Sequence, residues 1–381
     1  MSGWLLVAGD FMPHGGMDRA NLELARYLAV DSKVHLVTHR AAEELRANPN
    51  ITVHEVARPF GKHLLGQPFL ARAGRRWASR LARKGFRVVV NGGNCRWPDV
   101  NWVHCVHAAY PSPSAGGFPR RVKTNAVHRL NRRAEWRAAR AARIVLCNSR
   151  RTACDAVELL GVYPDRVRVV YLGCDPAQLP AVTALERKAA RARLGWDDRP
   201  WIVFVGQLGN RVKGFDTLYE AWRRLCENPA WDGNLAVIGE GPDRPAWEAQ
   251  ATCDGLARRI RFLGFRTDVP AVLASCDAMV APSRYDAYGL AVHEALCRGL
   301  PAIVSAAAGV SERYPPELAD LILTDPENPG ELADRLRHWR ANLESFAVRI
   351  RPLSDRLRAY TWSDMAQEIR DAVLAPPNPR G

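Results

Sequence analysis

No stretch of the 381 residues approaches eighteen consecutive apolar residues, so the sequence offers no membrane-spanning helix. Nine cysteines are scattered without a Cys-x2-Cys pair, which disfavours a zinc site and a disulfide framework and fits a reducing compartment. No Asp-x-Asp occurs, and no metal is expected. A G-x-G-x-x-G loop with an acid about twenty residues later is also missing, which argues against a dinucleotide-dependent oxidoreductase. No basic segment precedes the strand-like Trp4–Ala8, so no secretory leader is expected.

Acidic residues are short in one half only. Residues 1–180 hold 28 Lys+Arg against 13 Asp+Glu, whereas residues 181–381 hold 26 against 27. Within residues 58–151 there are 21 basic side chains and two acids, Asp99 and Glu135. Codon bias explains why only six of the 54 basic residues are lysine; it does not explain why acids avoid one half. A nucleic-acid binder would share this charge, but it would also show interleaved aromatics and a known motif, and neither is present.

What is there reads as alternating α/β. The length suits two domains, with expected bounds 1–180 and 181–360 and a closing segment 361–381. Short apolar strands are expected at Trp4–Ala8, Val34–Thr38, Ile51–Val56, Arg87–Asn91, Trp102–Tyr110 and Ile144–Ser149. A second series starts at Trp201–Gly206 and continues through 235–239, 260–264, 278–281, 302–305 and 321–323. Helical periodicity between strands implies two Rossmann-like parallel sheets. The stretch Arg72–Lys84 reads as a basic amphipathic helix with Phe69, Leu70, Ala73, Trp77 and Leu81 on one face; a solvated surface helix would show the same pattern.

The stretch from Ser283 to Pro301 is the most informative. A strand is followed by a loop, a helix opening at Gly289 and Leu290, and a Gly299-Leu300-Pro301 stop. The helix N-terminus is an anion site suited to phosphate. Asp286 before it and Glu294 one turn inside it would repel phosphate, and their natural partners are hydroxyls. Phosphate flanked by hydroxyl acceptors describes a nucleotide sugar.

Here the chain resembles the retaining nucleotide-sugar glycosyltransferases of family 4, which have the GT-B fold. Their Glu-x7-Glu signature before Gly-x-Pro appears as Asp286-x7-Glu294 with Gly299-Leu300-Pro301, the first acid being one methylene shorter. The resemblance implies that Asp286 binds donor-sugar hydroxyls and Glu294 the ribose, with Ala287, Tyr288, Gly289 and Leu290 around the phosphates. Gly15-Gly16-Met17-Asp18 is similar to the family's Gly-Gly-x-Glu beside the donor diphosphate and the acceptor. His107, in the apolar strand Trp102–Tyr110 and toward its end, matches a histidine near the donor sugar and the acceptor; His104 reads as a core residue. Lys213-Gly214 matches the diphosphate-binding Lys-Gly, while Gln207 stands where the family has Arg, so Arg211 is expected to supply the lost charge. Arg266, just beyond Gly264, falls near the base.

The architecture so implied is two Rossmann-like domains with a cleft between them and a last helix, around Trp362–Ala375, crossing back to the first domain. The expected reaction is metal-independent, retaining transfer of a hexose or related sugar from a UDP-, GDP- or ADP-sugar, with Lys213, Asp286 and His107 as the catalytic residues and no further cofactor. The basic first half implies an anionic or lipid-linked glycan acceptor of the cell envelope, lipopolysaccharide among the candidates. It also implies a cytoplasmic location with peripheral contact to the anionic inner face of the membrane. A small soluble acceptor, and a nucleotide-sugar epimerase on the same fold, are the alternatives.

Overall fold

The computed structural model describes residues 3–110, 118–209 and 211–375; Gly116 and Gly117, which open the basic run Gly116–Arg143, and Asn210 lie outside them. The described residues form two units. One holds residues up to 110, 118–173 and 361–375, and the other runs from Cys174 to Tyr360.

In the first unit the strands are β1 (Trp4–Val7), β2 (Asp10–Phe11), β3 (Val34–Thr38), β4 (Arg40–Ala41), β5 (Ile51–Glu55), β6 (Arg87–Asn91), β7 (Val100–Val103), β8 (Ile144–Cys147) and β9 (Val167–Val169). Seven of them make one parallel sheet in the order β5-β3-β1-β6-β7-β8-β9, while β2 and β4 pair separately. The second unit has β10 (Trp201–Val205), β11 (Asn234–Ile238), β12 (Ile260–Gly264), β13 (Ala278–Ala281), β14 (Ala302–Ser305) and β15 (Ile322–Leu323), parallel in the order β12-β11-β10-β13-β14-β15. The inner strands β1, β7, β11, β13 and β14 are buried at every residue, which is why they read as continuous apolar runs, whereas the edge strands β5, β9 and β12 keep exposed positions. The strand order reverses between β1 and β6 and between β10 and β13. Such switch points, beyond the carboxyl ends of the strands, are where open α/β sheets hold ligands.

The helix Trp362–Leu374 belongs to the first unit and packs on the helix Gly16–Leu28. A capping box between Thr361 and Asp364 starts it. Arg370 pairs with Asp31 at 2.7 Å, Arg143 donates to the Val373 carbonyl at 2.7 Å, and the Arg19 guanidinium lies over the Trp362 ring.

Two expectations are corrected. The basic amphipathic helix is longer, His63–Ala82, and its apolar side is already used: Leu70, Ala78 and Leu81 are buried with Leu5, Val7, Val37 and Val88. That face is therefore not available to lipid headgroups. What the segment does expose is Phe60, 90% accessible on a turn with φ 53°, together with Leu65 and Phe69. The strand expected over Trp102–Tyr110 ends at Val103, because the chain turns there to place His107 at the start of a short 3-10 turn, His107–Ala109.

Candidate functional site

In the second unit the loops after β10 and β13 meet at the switch point. Arg211–Lys213 forms a 3-10 turn, and Gly214, at φ 71°, caps the helix Phe215–Cys226. A Cβ on Gly214 would fall 1.9 Å from the Pro282 carbonyl oxygen, so only glycine permits this approach of the two loops. Arg284 cements them. Its backbone N–H donates to Val212 at 2.8 Å and its guanidinium to the Arg211 carbonyl at 2.5 Å, to both Asp216 oxygens at 2.7 and 3.0 Å, and to Glu327 at 2.7 Å. Burial works to raise the Asp216 pKa, but the Arg284 and Arg211 guanidiniums outweigh it and hold the carboxyl below its usual range.

This geometry brings Lys213 Nζ to 2.6 Å from Asp286 Oδ2. The backbone of Asp286 is fixed by a bridge to Ala308: its N–H donates to the Ala307 carbonyl at 3.3 Å, and its own carbonyl accepts from Gly309 at 2.9 Å. Three residues on, Gly289 takes φ 97° as the N-cap of the helix Leu290–Cys297. Glu294 lies half-buried on that helix. Lys213, Asp286, Gly289, Leu290 and Glu294 thus come from two adjoining loops and one helix. The Ala287 and Tyr288 side chains are buried, and the Tyr288 hydroxyl bonds His293 Nδ1 at 2.8 Å, so only their backbone faces the loop.

Two expected cations have other partners. Arg211 is 73% exposed and donates to Asp216 at 2.8 Å. Arg266 forms a bidentate pair with Asp268, at 2.7 and 2.6 Å. Sequence reasoning missed Arg284. Its signal was there, an arginine three residues after a strand and two before the signature acid.

In the first unit, Gly15 at φ 89° caps the helix Gly16–Leu28 after β1. Beside it Asp10 is buried and receives Arg40 at 2.6 Å and Arg58 at 3.0 Å. Burial acts to raise the Asp10 pKa, and the two guanidiniums overcome it. Asp18, in the helix's first turn, gains no such partner: burial, and then the Asp10 charge, push its pKa up to about 6.

His107 is held by an acid the sequence reading left unassigned. Glu135, buried on the helix Phe118–Ala141, accepts from the His107 backbone N–H at 2.9 Å and bonds its Nδ1. Asn131 lies 3.5 Å from Nε2. Tyr110 and His128 flank the imidazole, and a pocket of about 520 Å³ opens beside them, lined also by Asn125, Arg129 and Arg132. The other acid of the basic stretch, Asp99, accepts from Val88 N–H at 2.8 Å and from Arg143 at 2.7 Å. His104 is a core residue, as expected. It packs on Trp102 with neither ring nitrogen bonded among the described residues, and burial lowers its pKa to about 3.

Comparison with known proteins accounts for both units. A family model described as Glycosyltransferase Family 4 matches residues 14–178, and one described as Glycosyl transferases group 1 matches residues 199–342. A D-inositol 3-phosphate glycosyltransferase of Salinispora tropica is 27% identical over 390 aligned residues, covering 94% of this chain and 80% of that protein. The chain is a glycosyltransferase. Its fold is GT-B: the structure of WaaG, a glycosyltransferase involved in lipopolysaccharide biosynthesis, superposes with a TM-score of 0.77 over 99% of this chain and all of that one, at 19% identity. HepE of Anabaena, in complex with UDP-glucose, gives 0.73 over 98% and 99% at 20% identity. In this glycosyltransferase the group 1 match includes all six strands of the second sheet, and the family 4 match includes every strand of the first sheet except β1.

Proposed function

We propose that this glycosyltransferase takes a sugar from a nucleoside-diphosphate sugar, with retention at the anomeric carbon, and passes it to an anionic or lipid-linked glycan. The observation that carries this reading is the Lys213–Asp286 pair beside the Gly289-capped helix. It sets a cation and a hydroxyl acceptor a hydrogen bond apart, as the junction of a diphosphate with a sugar requires. Lys213 and the helix N-terminus stabilise charge on the departing diphosphate. Asp286 accepts from the sugar hydroxyls and Glu294 from the ribose. Arg211 and Arg266 adjoin the donor at its edges, each from an existing ion pair. Binding of donor sugars by a relative of this fold, HepE, supports the donor class.

His107, Gly15 and Gly16 serve the transferred sugar and the acceptor. An anionic acceptor is supported by the cationic pocket beside His107 and by the inositol phosphate acted on by the Salinispora relative. Peripheral membrane contact rests on Phe60, Leu65 and Phe69, which are exposed among Lys62 and Arg72. Incubation with a panel of UDP-, GDP- and ADP-sugars, read as nucleoside diphosphate release and anomeric configuration of the product, tests the reading. Saturable release with one donor is expected, and an inverted product refutes retention.

A further inference from the structure

The helix Leu290–Cys297 carries a second cluster on its buried side. His293 and Cys297 lie four residues apart and so share one helical face. Cys174, the first residue of the second unit, reaches them from a distant part of the sequence. The two sulfurs and an imidazole nitrogen all lie within 4.8 Å of one another, and all three side chains are buried. The Cys174 and Cys297 thiols are hydrogen-bonded, and Cys174 Sγ also faces the Leu357 and Arg358 carbonyls at 3.6 and 3.8 Å.

His293 is the telling member. Its Nδ1 is engaged with the Tyr288 hydroxyl, while Nε2 is buried with no hydrogen-bond partner among the described residues. An imidazole nitrogen so placed calls for a ligand.

We propose that Cys174, His293 and Cys297 bind a thiophilic divalent ion, zinc being the physiological one, as a buried structural staple. A two-sulfur, one-nitrogen donor set selects such an ion over magnesium or calcium. Two thiolates cancel its charge, so the filled site is neutral and suits a dry interior. Nδ1–H then donates to the Tyr288 oxygen and leaves the Nε2 lone pair for the metal, the outer bond that orients a ligating histidine. Both thiol protons leave to solvent on binding, so affinity falls as pH is lowered. The ion would pin the start of the second unit to the helix that opens at Gly289; it takes no part in sugar transfer, and the inference does not depend on the proposed donor.

The test uses the full chain from zinc-supplemented cells, purified without chelator. One zinc per chain is expected by elemental analysis. Chelator-stripped protein titrated with Co²⁺ should show a thiolate-to-cobalt charge-transfer band. Cys174→Ala, Cys297→Ala and His293→Gln should each lose the zinc and the rise in thermal midpoint it gives, whereas Cys253→Ala, at an exposed cysteine, should keep both. If the variants misfold, the wild-type measurements decide alone. Wild type without stoichiometric zinc or a cobalt band overturns the proposal. So does zinc retained by a folded Cys174→Ala/Cys297→Ala chain, or a Cys174–Cys297 disulfide found by peptide mapping.

Discussion

Lys213 and Asp286 are 73 residues apart in the chain and 2.6 Å apart in space. Without donor each neutralises the other. If, as proposed, the donor gives phosphate oxygens to the ammonium and hydroxyls to the carboxylate, the two substitutions should separate. Lys213→Ala should lower nucleoside diphosphate affinity by about 1.5–3 kcal/mol, roughly 10- to 150-fold. Asp286→Asn should leave that affinity within a few-fold and weaken the nucleotide sugar instead. Calorimetry with both ligands measures this, and equal losses for the two ligands would refute the division of labour.

Glu294→Gln should weaken nucleotide binding by about tenfold while leaving the thermal midpoint within a degree or two, because a helix accepts Gln as readily as Glu. Unchanged affinity would remove Glu294 from the ribose.

Arg211 and Arg284 are predicted to differ in kind. Arg211 is exposed, so Arg211→Ala should cost less than tenfold in diphosphate affinity and nothing measurable in stability. Arg284 holds the Arg211 carbonyl and Asp216 at once, so Arg284→Ala should lower both thermal midpoint and affinity, the loss of these bonds at the half-buried Asp216 costing about 1–3 kcal/mol. A neutral Arg284→Ala would show that the loop holds itself.

Glu135→Gln should reduce kcat about tenfold or more with a smaller change in KM, since it loosens His107 without removing it. Glu135→Asp should recover less than His107→Gln loses. If Glu135→Gln retains full kcat, His107 needs no orientation by this acid.

Asp18 gives a pH test. Its folded pKa of about 6 exceeds the ordinary 3.8, so the folded chain binds more protons than the unfolded one between those values. Stability contributed by this group therefore falls as pH rises through that window. Asp18→Asn should raise the thermal midpoint above pH 6 and make little difference near pH 4. Scanning calorimetry across that range decides it, and a constant offset at all pH values would mean the carboxyl is not the cause.

Much of this was legible in the sequence because the inner strands are buried and the strands alternate with helices. Val34–Thr38, Arg87–Asn91, Ile260–Gly264, Ala278–Ala281 and Ala302–Ser305 fall where their apolar runs place them. The loop with Lys213 and the loop with Asp286 could each be read, but not their meeting, since register between β10 and β13 is a property of the sheet. By periodicity Phe69 continues the apolar face of Leu70 and Leu81, yet it is exposed, because periodicity does not say where the core ends. Glu135 stayed unassigned for a related reason: helix Phe118–Ala141 is polar almost all round, and only the fold shows which side meets His107.

Among the described residues the chain passes directly from one unit to the other at Gly173–Cys174 and at Tyr360–Thr361, and the Cys174 N–H donates to the Tyr360 carbonyl at 3.2 Å. The segment from 174 to 360 is thus a self-closing insert whose two ends are already neighbours. Exchange of that segment with its counterpart from a related enzyme needs no new linker, and under the proposed function it would carry the donor preference with it at those two cuts. The same cannot be done by truncation after residue 173, which would strip the helix Gly16–Leu28 of its partner Trp362–Leu374.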